Sequence, residues 1–184
     1  MGLGNPGPEY IDTRHNMGFR CVDLIAKRHG VAWQDKTSSL GGLVAVVPRE
    51  GGALVLAKPQ TYMNRSGTAV RHLLEFLKVE PSRVLVVYDE MDLPFGTLRL
   101  RERGSAGTHN GMRSVIKSLE TEDIPRLRIG IGQSSPGEAT SHVLGEFVDE
   151  EREAVEALLT RAADAATDWA ELGATVAMNR YNNM

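Results

Sequence analysis

The sequence predicts a single α/β domain in which a twisted, mixed and largely parallel sheet carries helices on both faces. Three observations lead there. Short apolar, β-branched runs alternate with stretches whose apolar residues recur at the helical period. The 184 residues suffice for one core of ordinary size. The lone cysteine, Cys21, leaves no disulfide framework or thiolate metal site within the chain, as expected of a reducing compartment.

Each element has its own signal. Leu43 to Val47, Ala53 to Ala57, Val84 to Tyr88 and Leu127 to Ile131 are bounded by Gly, Pro or charge and read as strands. Met17 to His29 reads as a helix stopped at Gly30. Val70, Leu73, Leu74 and Leu77 share one helical face, as do Met112, Val115, Ile116 and Leu119. A last helix over 148–172 keeps the period through Leu158, Leu159, Ala162, Ala166 and Trp169. Ser134 to Ser141, with Pro136 and Gly137, reads as a mobile loop, so 134–145 is a candidate lid. No repeat interrupts 1–184, which reads as one domain.

Charge and hydropathy narrow the function classes. No apolar run nears the roughly 18 residues of a membrane span, and no basic leader with a cleavage site opens the chain, so a cytoplasmic protein without membrane contact is expected. The net charge of −3 argues weakly against nucleic acid. Its distribution argues the other way. Nine acidic and two basic residues lie between Glu146 and Glu171, so an acidic terminal helix offsets a mildly basic body.

Gly2, Gly4 and Gly7 match the spacing of a dinucleotide-binding loop. Pro6 and Pro8, which lack amide hydrogens, make the segment a rigid turn rather than a phosphate cradle, and it presents Asn5 and Tyr10 at fixed positions. Of the five histidines, His29 lies at a helix end, His72 within a helix and His142 in the lid segment. None are at metal-ligand spacing, so no metal and no cofactor is expected.

His15 differs. With Thr13, Arg14 and Asn16 it follows the rigid loop and precedes a helix, where an imidazole can face a cleft. Asp89 follows an apolar strand, and carboxyl ends of strands are where α/β sheets bind ligands. It is either a turn acid or the acceptor that would fix the imidazole tautomer for proton abstraction. There is no G-x-S-x-G motif and Cys21 lies on a buried-looking face, so water is the better nucleophile. Asn64 and Asn110 are candidate electrophilic donors, though Asn110 also reads as a helix N-cap. Arg99, Arg101 and Arg103, then Arg126 and Arg128, alternate along strands as a solubilising face or as a phosphate clamp.

Gly2-Leu3-Gly4-Asn5-Pro6-Gly7, Tyr10 and Thr13-Arg14-His15-Asn16 resemble the opening signature of the bacterial-type peptidyl-tRNA hydrolases. The likeness continues through Lys58-Pro59, Thr61 to Gly67, Asp89 to Pro94, Gly107 to Gly111, Arg126 to Gly132 and Val143 to Gly145, in the family's order and over essentially the whole chain. The resemblance implies a phosphorylase/hydrolase-like fold and metal-independent hydrolysis of the ester between a peptide, or N-blocked aminoacyl group, and the 3′ end of tRNA. It implies that His15 is the general base, that Asp89 orients it, that Asn64 and Asn110 position substrate and stabilise the oxyanion, and that Asn5 contacts the peptide. Tyr10, Tyr62, Met63 and His109 would line the site, and Arg101 with Arg128 would hold the tRNA 5′ phosphate. A monomer with no obligate protein partner is expected. The alternative is an inactive RNA-binding relative. Two departures stand out: the family's first strand is reduced to Met1, and Ser105-Ala106 replaces a more glycine-rich stretch.

Overall fold

The structure, a computed structural model, describes residues 1–182. In chain order it comprises α1 (Met17–Arg28), β1 (Gln34–Lys36), α2 (Thr37–Leu40), β2 (Gly42–Arg49), β3 (Gly52–Pro59), α3 (Ser66–Leu77), β4 (Val86–Glu90), β5 (Leu98–Arg101), α4 (Asn110–Leu119), β6 (Arg126–Gly130), α5 (Ala139–Leu144), α6 (Arg152–Leu172) and α7 (Ala174–Tyr181). Short 3-10 turns at Pro8–Tyr10, Arg14–Asn16 and Met63–Arg65 carry Tyr10, His15, Met63 and Asn64.

The sheet is mixed but not largely parallel. The strands form two three-stranded sheets, β1-β2-β3 and β4-β6-β5. Among the described residues only β4 and β6 form a parallel ladder, Val86 opposite Arg126 through Glu90 opposite Gly130. The other three pairings are antiparallel. The physical reason lies in the connections. β2 and β3 are joined by Glu50 and Gly51 alone, Gly51 taking a left-handed φ of 76°, and so short a link can only reverse the chain. β5 has no crossover helix before it and enters as an antiparallel edge beside β6.

Residues Met1–Leu3 do the work of a strand in miniature. Gly2 pairs in parallel with Val87, whose amide donates to the Met1 carbonyl at 2.8 Å while its carbonyl accepts from the Leu3 amide at 2.9 Å. The Gly2 amide reaches the Ala57 carbonyl of β3 at 3.0 Å, which ties the two sheets together.

β4 is buried on both faces, as strands between two helical layers must be. Val87 belongs to the core formed with Met17, Cys21 and Ile25 of α1 and Val155, Leu158 and Leu159 of α6. Val86 and Tyr88 point the other way, to Val70 and Leu74 of α3 and Met112 and Val115 of α4. Each such side chain contributes about 1.5–3 kcal/mol on burial. Gly18 lets α1 lie directly on the sheet, since a Cβ there would sit 2.3 Å from the Val87 carbonyl oxygen. That contact sets the height of the turn before α1, and so of His15.

The acidic helix expected over 148–172 is a 3-10 turn at Asp149–Glu151 running into α6. The candidate lid contains the short helix α5, none of whose residues is buried.

Candidate active site

Asp89 is the penultimate residue of β4 and 1% exposed. The turn Arg14–Asn16 brings His15 to it, with Nδ1 at 2.9 Å from Oδ1 and 3.0 Å from Oδ2. A carboxylate only accepts, so the His15 proton is on Nδ1 and the Nε2 lone pair is free. His109 completes the group: its Nε2 lies 3.1 Å from Asp89 Oδ1. The His15 and His109 rings meet edge-on, centroids 5.0 Å apart, and His109 packs against Tyr88 at 4.6 Å.

Burial by itself pushes the Asp89 carboxyl up, but the facing His15 and His109 outweigh it and hold the group well below the usual carboxylate range. The carboxylate is therefore a fixed charge at neutral pH. Acting alone it stabilises the fold above the ordinary Asp range, and that contribution is lost only as pH falls through the depressed folded value.

His109, not Asn110, caps α4. The Met112 amide donates to His109 Nδ1 at 3.1 Å, and Asn110 is the first helical residue. A short sequence window does not separate these two adjacent candidates. Gly111 makes room for the arrangement, since a Cβ there would lie 2.4 Å from Met63 Sδ and 2.9 Å from His109 Cε1.

Asn5 is held on three sides. Its amide donates to Asn16 Oδ1 at 2.8 Å, its carbonyl accepts from Asn16 Nδ2 at 3.0 Å, and its Oδ1 accepts from the Met63 amide at 2.8 Å. Asn16, which the sequence shows only as a helix-entry residue, is thus what fixes the Asn5 loop. Asn110 is exposed, and its Oδ1 accepts from Arg113 at 3.1 Å. In both asparagines a protein donor fills the oxygen, leaving the amino half directed elsewhere. Asn64 and Tyr62 stand exposed at the turn Met63–Arg65, Met63 is buried beneath, and Tyr10 is half-buried on the opening loop.

Arg14 is a second residue whose part is visible only in three dimensions. Its guanidinium bonds the Glu146 carbonyl, pairs with Glu151 at 2.8 Å and lies 4.6 Å from the Phe147 ring centroid. It ties the turn holding His15 to the chain just beyond α5.

The arginines divide. Arg126 is 2% exposed and gives its guanidinium to the carbonyls of Ile124, Gly104, Ser105 and Glu122, so it staples loops together along the cleft it lines with Arg101 and Arg128, its donors already committed. Arg128 is paired at 2.8 Å with Glu90, Arg101 is exposed, and both border one cleft with Arg103 and Gly104. Arg103 lies beyond the end of β5. Cys21 is buried, and burial raises its thiol to about 12, so it offers no thiolate.

His15, Asp89 and His109 have ligand atoms within 4.8 Å of one another, near enough for a metal ion. Coordination through His109 Nε2 would move its proton to Nδ1, against the Met112 N–H. The tautomer suits hydrogen bonding, not ligation.

An α/β fold with a buried imidazole hydrogen-bonded to an aspartate near a strand's carboxyl end fits the hydrolase class. Known proteins agree. The sequence profile described as Peptidyl-tRNA hydrolase matches residues 1–184. A peptidyl-tRNA hydrolase of Chloroflexus aurantiacus is 52% identical over 99% of this chain and 97% of its own length, and one of Alkaliphilus oremlandii is 44% identical over 99% and 97%. The crystal structure of peptidyl-tRNA hydrolase from Acinetobacter baumannii superposes with a TM-score of 0.91 at 35% identity, covering 98% of this chain and 92% of that one. The chain belongs to the peptidyl-tRNA hydrolase family, hydrolases of the ester bond of peptidyl-tRNA.

Proposed function

We propose that the residues around His15 carry out this hydrolysis at the 3′ end of tRNA, freeing tRNA for translation. The observation that carries the reading is the free Nε2 of a buried imidazole whose Nδ1 proton is committed to an ionised Asp89. His15 Nε2 takes a proton from water as the water oxygen bonds to the ester carbonyl carbon. The imidazolium that forms is stabilised by Asp89. The tetrahedral oxyanion collapses by breaking the bond to the ribose oxygen, which takes the proton back from His15. The products are a tRNA 3′ hydroxyl and a peptide carboxylic acid, which loses its proton to solvent.

The amino groups of Asn110 and Asn64 are the donors toward the oxyanion, and that of Asn5 meets a peptide carbonyl, favouring blocked over free aminoacyl groups. Tyr10, Tyr62, Met63 and His109 border the substrate, exposed Tyr62 offering its ring to a terminal base or peptide side chain. Arg101 and Arg128 take the 5′ phosphate as a bidentate clamp, Arg128 exchanging Glu90 for the phosphate. The 134–145 segment closes over the substrate as a lid, in keeping with an unburied α5 that packs against the turn bearing His15. No cofactor or metal takes part. The reading is of a cytoplasmic monomer acting on tRNA without a protein partner. Among the described residues no helix is long and apolar enough to cross a membrane.

The test is release of N-blocked amino acid from tRNA by the purified protein with a chelator present. Turnover unchanged by the chelator is expected. Binding of tRNA without release would instead establish the inactive RNA-binding alternative.

A further inference from the structure

His109 has no free nitrogen. Its Nδ1 accepts from the Met112 amide at the start of α4, so its Nε2 carries the proton given to Asp89 Oδ1. The ring is 7% exposed and lies against Tyr88 and His15. A side chain so engaged has no donor or acceptor left for a substrate. It does have a partner on the aspartate that serves the base.

We infer that His109 is a positioning residue, whose second hydrogen bond to Asp89 holds that carboxylate in register with His15 and tempers its pull on the imidazole. The inference rests on the reading of His15 as general base. A carboxylate with one donor concentrates its charge on that donor, whereas one with two shares it. Without the second donor, Asp89 would favour the imidazolium of His15 more strongly, and a larger fraction of the enzyme would hold a protonated, idle base at moderately acid pH. The α4 N-terminus supplies the lock, because the Met112 amide decides which His109 nitrogen bears the proton.

Among the described residues only His15 and His109 reach Asp89 with titratable side chains. From β4 itself, Glu90 is turned to Arg128 of β6. Arg14, on the turn with His15, is turned to Glu151. From β6 the Asp89 position faces Ile129, and α1 presents Met17 and Cys21 to that core, the thiol held neutral.

Two substitutions separate the two ring nitrogens. His109→Asn retains an acceptor where Nδ1 caps α4 but has no donor at the Nε2 position. His109→Gln is long enough to place its amino group there. The measurement is the pH dependence of kcat/KM for hydrolysis of N-blocked aminoacyl-tRNA, with the low-field proton resonance of His15 Nδ1–H recorded on the same proteins. In His109→Asn the acid limb is expected to move up by about half a unit to one unit, the resonance to move downfield, and kcat to fall with KM nearly constant. In His109→Gln the limb and the resonance are expected to return toward the parent, even if the variant melts earlier for want of the cap. Equal limbs in parent and His109→Asn would overturn the inference, as would a rise in KM alone, the mark of a substrate contact. Should His15→Ala retain turnover while the resonance still shifts in His109→Asn, the general-base reading fails and the hydrogen-bond role of His109 stands.

Discussion

The His15–Asp89–His109 group and the Arg101–Arg128 cleft both handle charge, and they do so in opposite ways. In the first, three side chains are at least nine-tenths buried, and every nitrogen but His15 Nε2 has a partner. In the second, Arg101 is exposed and Arg128 has exchangeable protein company in Glu90. Fixed, dry dipoles suit a reaction whose charge develops at one atom, because nothing need reorganise when it does. Exposed guanidinium groups suit the capture of a large polyanion, where long reach and screening by salt matter more than exact placement. On the proposed reading the buried group should therefore respond to single-atom changes, and the cleft to ionic strength.

That contrast can be broken by substitution. Asp89→Asn should have the largest effect, because it removes the charge that fixes the His15 tautomer. A fall of about 10²–10⁴ in kcat with little change in KM is expected from steady-state kinetics. A variant as active as the parent would mean the pair is only structural. Asn110→Ala should cost less, about 2.7–4 kcal/mol of transition-state stabilisation if its amino group meets the oxyanion, read as a lower kcat/KM at unchanged melting temperature. A loss confined to stability would make Asn110 a helix residue and nothing more. Arg128→Ala should be smallest, weakening tRNA binding modestly and lowering the slope of log K against log salt by about one phosphate's worth. An unchanged slope would move the phosphate elsewhere.

Much of this was legible in the sequence, unevenly. The strand carrying Asp89, the helix after His15 and the rigid Asn5 loop are local signals; the helix and loop occur where the pattern puts them, and the strand runs two residues later than Val84 to Tyr88, so that Asp89 lies inside it. Sheet direction was not legible, because alternation of strands and helices does not reveal that the β2–β3 turn and the β5 edge reverse the chain. β1 is three exposed polar residues with no strand pattern to find. α7 follows α6 across Gly173 and packs on β5, a contact no window could anticipate. At the site, residue types pointed to His15 and Asp89, but the roles of Asn16 and Arg14 depend on partners 11 and 132 or more positions away. Arg126 and Arg128 look alike as alternating strand arginines. Both line the cleft, and only packing shows that Arg126 is committed to backbone carbonyls while Arg128 pairs with Glu90.

The account's central claim is that one imidazole nitrogen does the proton transfer. Single-turnover hydrolysis of N-blocked aminoacyl-tRNA by His15→Ala, alongside its melting curve and its affinity for tRNA, tests this most directly. The expected result is a rate lower by about 10² or more, with folding and tRNA binding intact. Cleavage near the parent rate by a folded variant would contradict it.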